Sequence, residues 1–204
     1  MKISIVSGSH RSSGQSGKIA GVIAQSLSES TSCDESYLLD LADNPLPLWD
    51  DSIWSGDVSW QQRLAPISEQ LSSSDALVII VPEWHGMVPS GLKNFFLMWG
   101  KGELAHKPAL LVSVSSGDGG AYPIAELRMS SYKNNRICYL PEHLIIRKVE
   151  SVFNSSADDN DAKAQAYLEG RLDYCLKQLL TYAQAFKHIR ESDTTSLSTY
   201  RNGM

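Results

Sequence analysis

The sequence contains few cysteines and no metal-binding pattern. Its three cysteines, Cys33, Cys138 and Cys175, lie far apart among 204 residues and form no CxxC pair. An odd number of cysteines in a chain without a secretion signal favours reduced thiols. The five histidines show no spacing that is typical of zinc ligands, either with each other or with cysteine. We therefore expect neither a disulfide framework nor a bound metal ion.

Long apolar runs and an excess of basic charge are also missing. No stretch approaches the roughly 20 apolar residues that a membrane helix needs, and the apolar run at residues 2–6 is too short for a signal peptide. The net charge is −5, and the 18 lysines and arginines are scattered along the chain. Surfaces that bind nucleic acids are usually basic. These features predict a cytoplasmic protein whose partners include neither a membrane nor a nucleic acid.

Three common nucleotide and hydrolase motifs are absent. Gly8, Gly14 and Gly17 do not have the spacing of GxGxxG, and in GDGGAY it is Tyr122 that stands where the third glycine belongs. GxxxxGK[ST], which indicates a nucleoside triphosphate site, does not occur. The nucleophile elbow GxSxG is missing as well, so hydrolase chemistry loses its main support.

What the sequence does contain is an alternation of strand and helix patterns. The predicted strands cover 2–6, 35–41, 76–82, 108–116 and 137–149, and the predicted helices cover 15–28, 58–73, 89–99, 121–133 and 161–189. Pro66 is expected to kink or split the second helix. Five strands that alternate with helices predict one doubly wound α/β domain over residues 1–191, followed by a mobile tail, 192–204.

Three polar or glycine-rich loops each follow a predicted strand. They are the first loop (7–18), the second loop (82–91) and the third loop (115–121). In doubly wound sheets, ligands bind beyond the carboxyl ends of the strands, near the point where the strand order reverses. The shared position of the loops therefore predicts one ligand site.

The first loop, SGSHRSSGQSGK, has the composition of a phosphate site. It lies between a strand and a helix, where backbone N–H groups and the positive end of the helix favour an anion. Ser9 and Ser16 offer hydroxyl groups, and Arg11 offers a charged fork. The alternative is a flexible serine-rich turn with a solvated arginine.

The second loop could lie against a planar ring. Pro82 ends the strand, Trp84 offers a flat apolar face, and Gly86 permits a close approach of the backbone. The alternative is that Trp84 is merely partly buried and that His85 is a solvated loop residue. The residues alone leave these two interpretations open.

The loops resemble motifs of the NADPH-dependent FMN reductase family of flavodoxin-like proteins, which includes quinone, azo-dye and chromate reductases. The family's first loop has the form GSxRxxSxN, and the sequence here reads GSHRSSGQS. Its second loop resembles PEYNxxxPGxLKNxxDW, where this sequence reads PEWHGMVPSGLKNFFLMW. The third loop region, SSGDGGAY, is similar to the family's glycine-rich turn. The resemblance covers about residues 1–150.

The resemblance implies both a fold and a chemistry. The implied fold is a flavodoxin-like five-stranded parallel sheet of order 2-1-3-4-5 with helices on both faces. The implied cofactor is FMN, with NADPH or NADH as the electron donor. A quinone, flavin, azo compound or similar small molecule would accept the hydride. The family commonly forms oligomers, which implies a homodimer or homotetramer.

The resemblance also implies which residues hold FMN. Ser9 and Arg11 match the phosphate ligands, whereas Gly14 and Ser16 replace a serine and an asparagine. Backbone N–H groups, Gln15 and Ser16 are expected to compensate for that change. The residues implied beside the ring are Pro82, Glu83, Trp84, His85, Gly86, Ser115 and Gly119. No catalytic residue is assigned, because hydride transfer to a flavin needs no acid or base from the protein.

Two other functions stay open at this point. One is a flavin-binding electron carrier or redox sensor without reductase activity. The other is a family member that has lost FMN through the changes at positions 14, 16 and 85. The tryptophans of the region after the second strand, Trp49, Trp54 and Trp60, either help to cover the site or a neighbouring subunit, or pack under a long loop.

Overall fold

Strands and helices alternate along the whole chain in the computed structural model, which describes residues 1–200 and 202–203. The strands are β1 (Lys2–Ser7), β2 (Glu35–Asp40), β3 (Ala76–Pro82), β4 (Pro108–Val114) and β5 (Cys138–Ile146). The helices are α1 (Gln15–Ser28), α2 (Val58–Ser73), α3 (Ser90–Met98), α4 (Ala121–Met129) and α5 (Ala162–Glu191). Short 3-10 helices cover Asp51–Ile53, Val149–Ser151, Ala157–Asp159 and Asp193–Thr195.

The five strands form one parallel sheet of order β2-β1-β3-β4-β5, which confirms the predicted fold. β1 pairs with a strand on each side, since Ile5 is opposite Leu38 of β2 and also opposite Val78 of β3. Every residue of β3 and β4 is buried. Such continuous burial is typical of parallel strands that are covered by helices on both faces.

Two hydrophobic cores lie on the two faces of the sheet. Helices α1 and α5 cover one core, and helices α2, α3 and α4 cover the other. Side chains alternate along each strand, so that Ile3 and Ile5 enter the first core and Val6 enters the second. Each such aliphatic side chain contributes about 1.5–3 kcal/mol when fully buried. Because α1 and α3 pack on opposite faces, the chain leaves β1 and β3 in opposite directions.

Two helix predictions differ from the structure in their details. Pro66 does not split the second helix, because α2 runs unbroken around it. Pro66 and Gln62 are both exposed, so water can satisfy the carbonyl group that lacks a helical partner there. The fourth helix ends at Met129 rather than 133, and Ser131 follows with a φ of 66°. A left-handed residue at this place ends a helix.

The segment after α5 lies against the loops at the amino ends of β4 and β5. The Leu197 side chain is 3.2 Å from the position that a Cβ atom would take at Gly102, and the Tyr200 carbonyl accepts a hydrogen bond from Arg136. Whether this tail is mobile, and whether the domain ends at residue 191, stay predictions. No helix in the described part of the chain is long and apolar enough to span a bilayer.

Lys107 is the most buried lysine or arginine among the described residues. Only 3% of its surface is exposed, and its Nζ donates hydrogen bonds to the carbonyls of Leu71 and Ser72 at the end of α2, over 2.5 and 2.8 Å. Burial lowers the pKa of Lys107 to about 7, and the positive charge of Arg190 adds to that effect. The lysine therefore satisfies helix-end carbonyls that would otherwise be buried without a donor.

We expect the free energy of unfolding to rise between pH 7 and pH 10.5. In this window the folded state releases the Lys107 proton while the unfolded chain still holds it, so the unfolded chain binds more protons. Urea unfolding at pH 7.0, 8.5 and 9.5 measures the slope. The variant Lys107→Met should lose part of it, whereas Lys163→Met, which changes an exposed lysine of α5, should keep it. Equal slopes in wild type and Lys107→Met would contradict the assignment.

Candidate functional site

The three loops that follow β1, β3 and β4 meet at the carboxyl edge of the sheet. Each loop begins with a hydrogen bond that extends the strand pairing. The Gly8 N–H donates to the Ile80 carbonyl over 2.8 Å, and the Glu83 N–H donates to the Val114 carbonyl over 2.9 Å. The loops therefore start side by side, at the point where α1 and α3 diverge to opposite faces.

The first loop leads into a helix end that no side chain caps. Helix α1 begins after Gly14, has no side-chain hydrogen bond at its cap and has no acidic residue in its first turn. Within the loop, the Gly14 N–H donates to the Arg11 carbonyl over 2.9 Å, and the Arg11 N–H donates to Ser9 Oγ over 3.3 Å. An uncapped helix start carries free N–H groups and a positive potential, which suit an anion.

Side-chain atoms beside this helix end lack protein partners. Ser16 Oγ and Gln15 Oε1 are buried, and neither has a hydrogen bond within residues 1–200 and 202–203. Buried polar atoms are rarely left without a partner in proteins. The exposed Arg11 guanidinium likewise has no hydrogen bond or ion pair to another described residue. The Ser16 hydroxyl, which can donate, and the free Arg11 guanidinium fit the phosphate of FMN, whereas Gln15 would have to present its amide N–H rather than its oxygen.

Position 14 has room only for glycine in this arrangement. A Cβ atom there would lie 2.5 Å from Ser9 Oγ and 3.0 Å from the Arg11 carbonyl. The serine that the family motif carries at this position would displace Ser9. The glycine at position 14 therefore fits the close approach of the backbone to Ser9 Oγ and to the Arg11 carbonyl.

The second loop contains a two-residue turn. The backbones of Trp84 and Met87 exchange hydrogen bonds of 3.1 and 2.9 Å, and the two residues between them, His85 and Gly86, have φ angles of 50° and 71°. Two consecutive left-handed residues define a type I′ turn. Asparagine and histidine tolerate this conformation better than most residues. The replacement of the motif's asparagine by His85 therefore preserves the turn, and the His85 side chain is exposed.

The Glu83 carboxylate binds the third loop. It accepts a hydrogen bond of 2.5 Å from the Gly120 N–H, and a Cβ atom at Gly119 would lie 2.5 Å from Glu83 Oε1. From the other side, Arg147 Nε donates to the carbonyls of Asp118 and Gly119 over 2.7 and 2.9 Å. Two charged side chains, each directly after a strand (β3 and β5), thus hold the glycine-rich turn in place.

The tryptophan-rich region packs against helix α3, which follows the second loop. Asn94 of α3 is buried, donates to the Pro47 carbonyl over 2.7 Å and accepts from the Trp49 N–H over 2.8 Å. Trp49 packs edge-on against Trp54, which is 79% exposed, whereas Trp60 is buried in the core. Trp60 therefore packs in the protein, which was one of the two alternatives for these tryptophans. The exposure of Trp54 is compatible with the other alternative, covering a ligand or a neighbouring subunit.

The structure brings all the predicted site residues to one edge of the sheet. They lie on the first loop (Ser9, Arg11, Gln15, Ser16), on the second (Pro82, Glu83, Trp84, His85, Gly86) and on the third (Ser115, Gly119). Sequence reasoning missed His10, whose ring packs on Trp84. It also missed Tyr122, which is 69% exposed and lies 3.5 Å from the Cβ position of Gly86. The available signal was their position in the sequence: His10 lies between two predicted phosphate ligands, and Tyr122 directly follows the third loop.

Sequence comparisons find known proteins that are similar to this chain. The sequence model of the family described as NADPH-dependent FMN reductase matches residues 1–150. An NADPH azoreductase from Bacillus sp. (strain OY1-2) is 28% identical over 120 residues, which are 59% of this chain and 62% of that protein. A quinone reductase from Escherichia coli (strain K12) is 24% identical over 181 residues, which are 85% of this chain and 91% of that protein.

Solved structures share the fold at low sequence identity. A flavoenzyme NAD(P)H:acceptor oxidoreductase from Paracoccus denitrificans superposes with a TM-score of 0.67 at 22% identity, over 91% of this chain and 98% of the other. An azoreductase from Bacillus anthracis str. Sterne superposes with a TM-score of 0.53 at 16% identity, over 91% and 99% of the two chains. These similarities establish the flavodoxin-like fold.

The family match covers all three loops and most of the chain, and it confirms the family that the motifs predicted. The family match also supports the predicted enzyme class, an NAD(P)H-dependent flavin oxidoreductase, and the predicted cofactor, FMN. The chain belongs to the NADPH-dependent FMN reductase family.

Proposed function

We propose that this chain binds FMN at the carboxyl edge of its sheet and uses it to pass a hydride from NADPH or NADH to a small acceptor. The acceptor is a quinone, a second flavin, an azo compound or a similar oxidised molecule. The observation that carries the proposal is the buried, unpartnered Ser16 hydroxyl at the uncapped start of α1, together with the free Arg11 on the same loop. The family match and the azoreductase and quinone reductase relatives support the same chemistry.

The first loop supplies the phosphate contacts in this proposal. Arg11 binds the phosphate as a charged fork, and the hydroxyls of Ser9 and Ser16 donate to its oxygens. The amide of Gln15 and the N–H groups at the start of α1 complete the set, since the positive end of the helix attracts the negative charge. These contacts contribute to the affinity for FMN and determine how far its phosphate enters the site.

The second and third loops orient the ring. FMN supplies the hydride chemistry when it is bound. Trp84 offers its indole face, while backbone groups of His85 and Gly86 meet the polar edge of the ring. The third loop, held by Glu83 and Arg147, places Ser115 and Gly119 at the border of the same space. The exposed side of the site leaves room for the nicotinamide and then for the acceptor.

An anaerobic visible spectrum tests the proposed reaction. Purified protein loaded with FMN should show a flavin band that NADPH or NADH bleaches and that an added quinone restores. Consumption of NADPH should depend on both FMN and the quinone. A bound flavin that neither nucleotide reduces would instead indicate an electron carrier or sensor. Protein that binds no FMN at all would indicate a family member that has lost its cofactor.

We expect Arg11→Ala to weaken FMN binding by about 10- to 150-fold. A hydrogen bond to a charged group is worth about 1.5–3 kcal/mol, and each 1.4 kcal/mol is tenfold in the dissociation constant. Quenching of FMN fluorescence during titration measures the affinity. Arg63→Ala, which removes an exposed arginine of α2, is the matched control and should bind FMN like the wild type. An unchanged affinity in Arg11→Ala would rule out the phosphate assignment.

We also propose that the chain forms a homodimer or homotetramer in the cytoplasm. Leu97 of α3 and Tyr122 and Met129 of α4 are 61%, 69% and 79% exposed, and together they define the α3–α4 face. Lys93 and Glu126 form an ion pair between the two helices. The charges of Lys93 and Glu126 neutralise each other, so two copies of the α3–α4 face can pack together without charge repulsion there. This holds although the whole chain carries a charge of −5. Three free cysteines suit a reducing compartment.

Leu97→Asp should shift the protein toward the monomer. Two copies that meet on the α3–α4 face would bury the new carboxylates without partners, which is costly. Light scattering of the wild type should give a mass at least twice 22.5 kDa, and the variant should approach 22.5 kDa. Tyr167→Asp places the same charge on an exposed residue of α5 and should leave the oligomer intact. A monomeric wild type would remove this proposal.

A further inference from the structure

His10 of the first loop touches two other parts of the site. Its ring lies edge-on to the indole of Trp84, with ring centroids 4.7 Å apart and an interplanar angle of 70°. It also meets the first turn of α3, where a Cβ atom at Gly91 would lie 2.8 Å from His10 Nδ1 and 3.3 Å from Cγ. The imidazole therefore occupies the space that a side chain at position 91 would need.

The contact involves residues that the shared motifs do not specify. Positions 10 and 91 are unspecified in GSxRxxSxN and PGxLKN, and Trp84 stands where the motif has tyrosine. In this chain a histidine, a tryptophan and a glycine at these positions fit together across three segments. The contact is therefore a property of this chain's own residues.

We propose that His10 is a positioning residue that holds the Trp84 indole and couples the first loop to the second. This inference rests on the proposed function, which assigns the phosphate to the first loop and the ring to the second. His10 lies between Ser9 and Arg11, so a phosphate that orders those two side chains also restrains the imidazole. The edge-on aromatic contact, which has a preferred geometry, then restrains Trp84.

We therefore expect the binding of the phosphate and the binding of the flavin ring to strengthen each other. Phosphate bound at the first loop raises the affinity of the second loop for the ring, and by linkage the ring raises the affinity for phosphate by the same factor. Inorganic phosphate and lumiflavin, which is the flavin ring system without the ribityl phosphate chain, are separate probes of the two halves.

The test is a lumiflavin titration of the apoprotein, followed by fluorescence quenching, with and without inorganic phosphate at matched ionic strength. In the wild type, phosphate should tighten lumiflavin binding by about two- to tenfold, the range that corresponds to one aromatic pair. His10→Ala should bind lumiflavin with an affinity that phosphate no longer changes. His10→Phe keeps an aromatic edge against Trp84 and should retain most of the coupling.

Gly91→Ala provides an independent test of the same contact. Its methyl group would enter the space of the imidazole, so the coupling should be lost as in His10→Ala. Alanine favours a helix more than glycine does, so the folding of α3 is not at risk. In His10→Ala/Gly91→Ala the second substitution should have no further effect, because the imidazole is already absent. Gly170→Ala, at a position of α5 with no neighbour within 4 Å, is the matched control.

The outcomes separate this inference from the proposed function. If lumiflavin and FMN bind but phosphate leaves the wild-type lumiflavin affinity unchanged, the coupling through His10 is wrong while the reductase proposal stands. The same holds if Gly91→Ala has an equal effect with and without His10. If neither FMN nor lumiflavin binds, both proposals fail together.

Discussion

The pairing of β1 with both β2 and β3 is the constraint on which the rest of the structure depends. The chain leaves β1 into α1 on one face of the sheet and leaves β3 into α3 on the other. Their loops therefore separate at the carboxyl edge and open a crevice between neighbouring strands. Every residue proposed to contact FMN lies on a loop that borders this crevice. The strand order thus determines where the site lies, and the side chains of the loops determine its chemistry.

The polar side chains around this crevice differ in whether they have hydrogen-bond partners in the protein. Glu83 and Arg147 hold the third loop, and Asn94 holds the tryptophan-rich region. Lys18 donates three hydrogen bonds, of 2.8 to 2.9 Å, to the segment after β5. Nearer the start of α1, by contrast, Ser16 Oγ and the Arg11 guanidinium have no partner among the described residues. A rigid frame around unpartnered donors is the arrangement that a preformed binding site needs.

Much of this architecture can be predicted from the sequence because it depends on local pattern. Continuous apolar runs identify β3 and β4, and the loop motifs identify the family. The end of α4 could not be predicted, since it depends on the left-handed conformation of Ser131. The contact of His10 with Trp84 joins residues more than seventy positions apart, so no local pattern contains it. For the same reason the partner of Glu83 in the third loop appears only in the folded chain.

We assign the phosphate of FMN to the first loop, and a comparison of FMN with riboflavin tests that assignment. The two ligands share the ring and the ribityl chain and differ only in the phosphate. Titration of the apoprotein with each, followed by flavin fluorescence, should show FMN binding at least about tenfold more tightly, since one charge-assisted hydrogen bond alone accounts for that factor. Equal affinities for the two ligands would show that the first loop does not bind the phosphate.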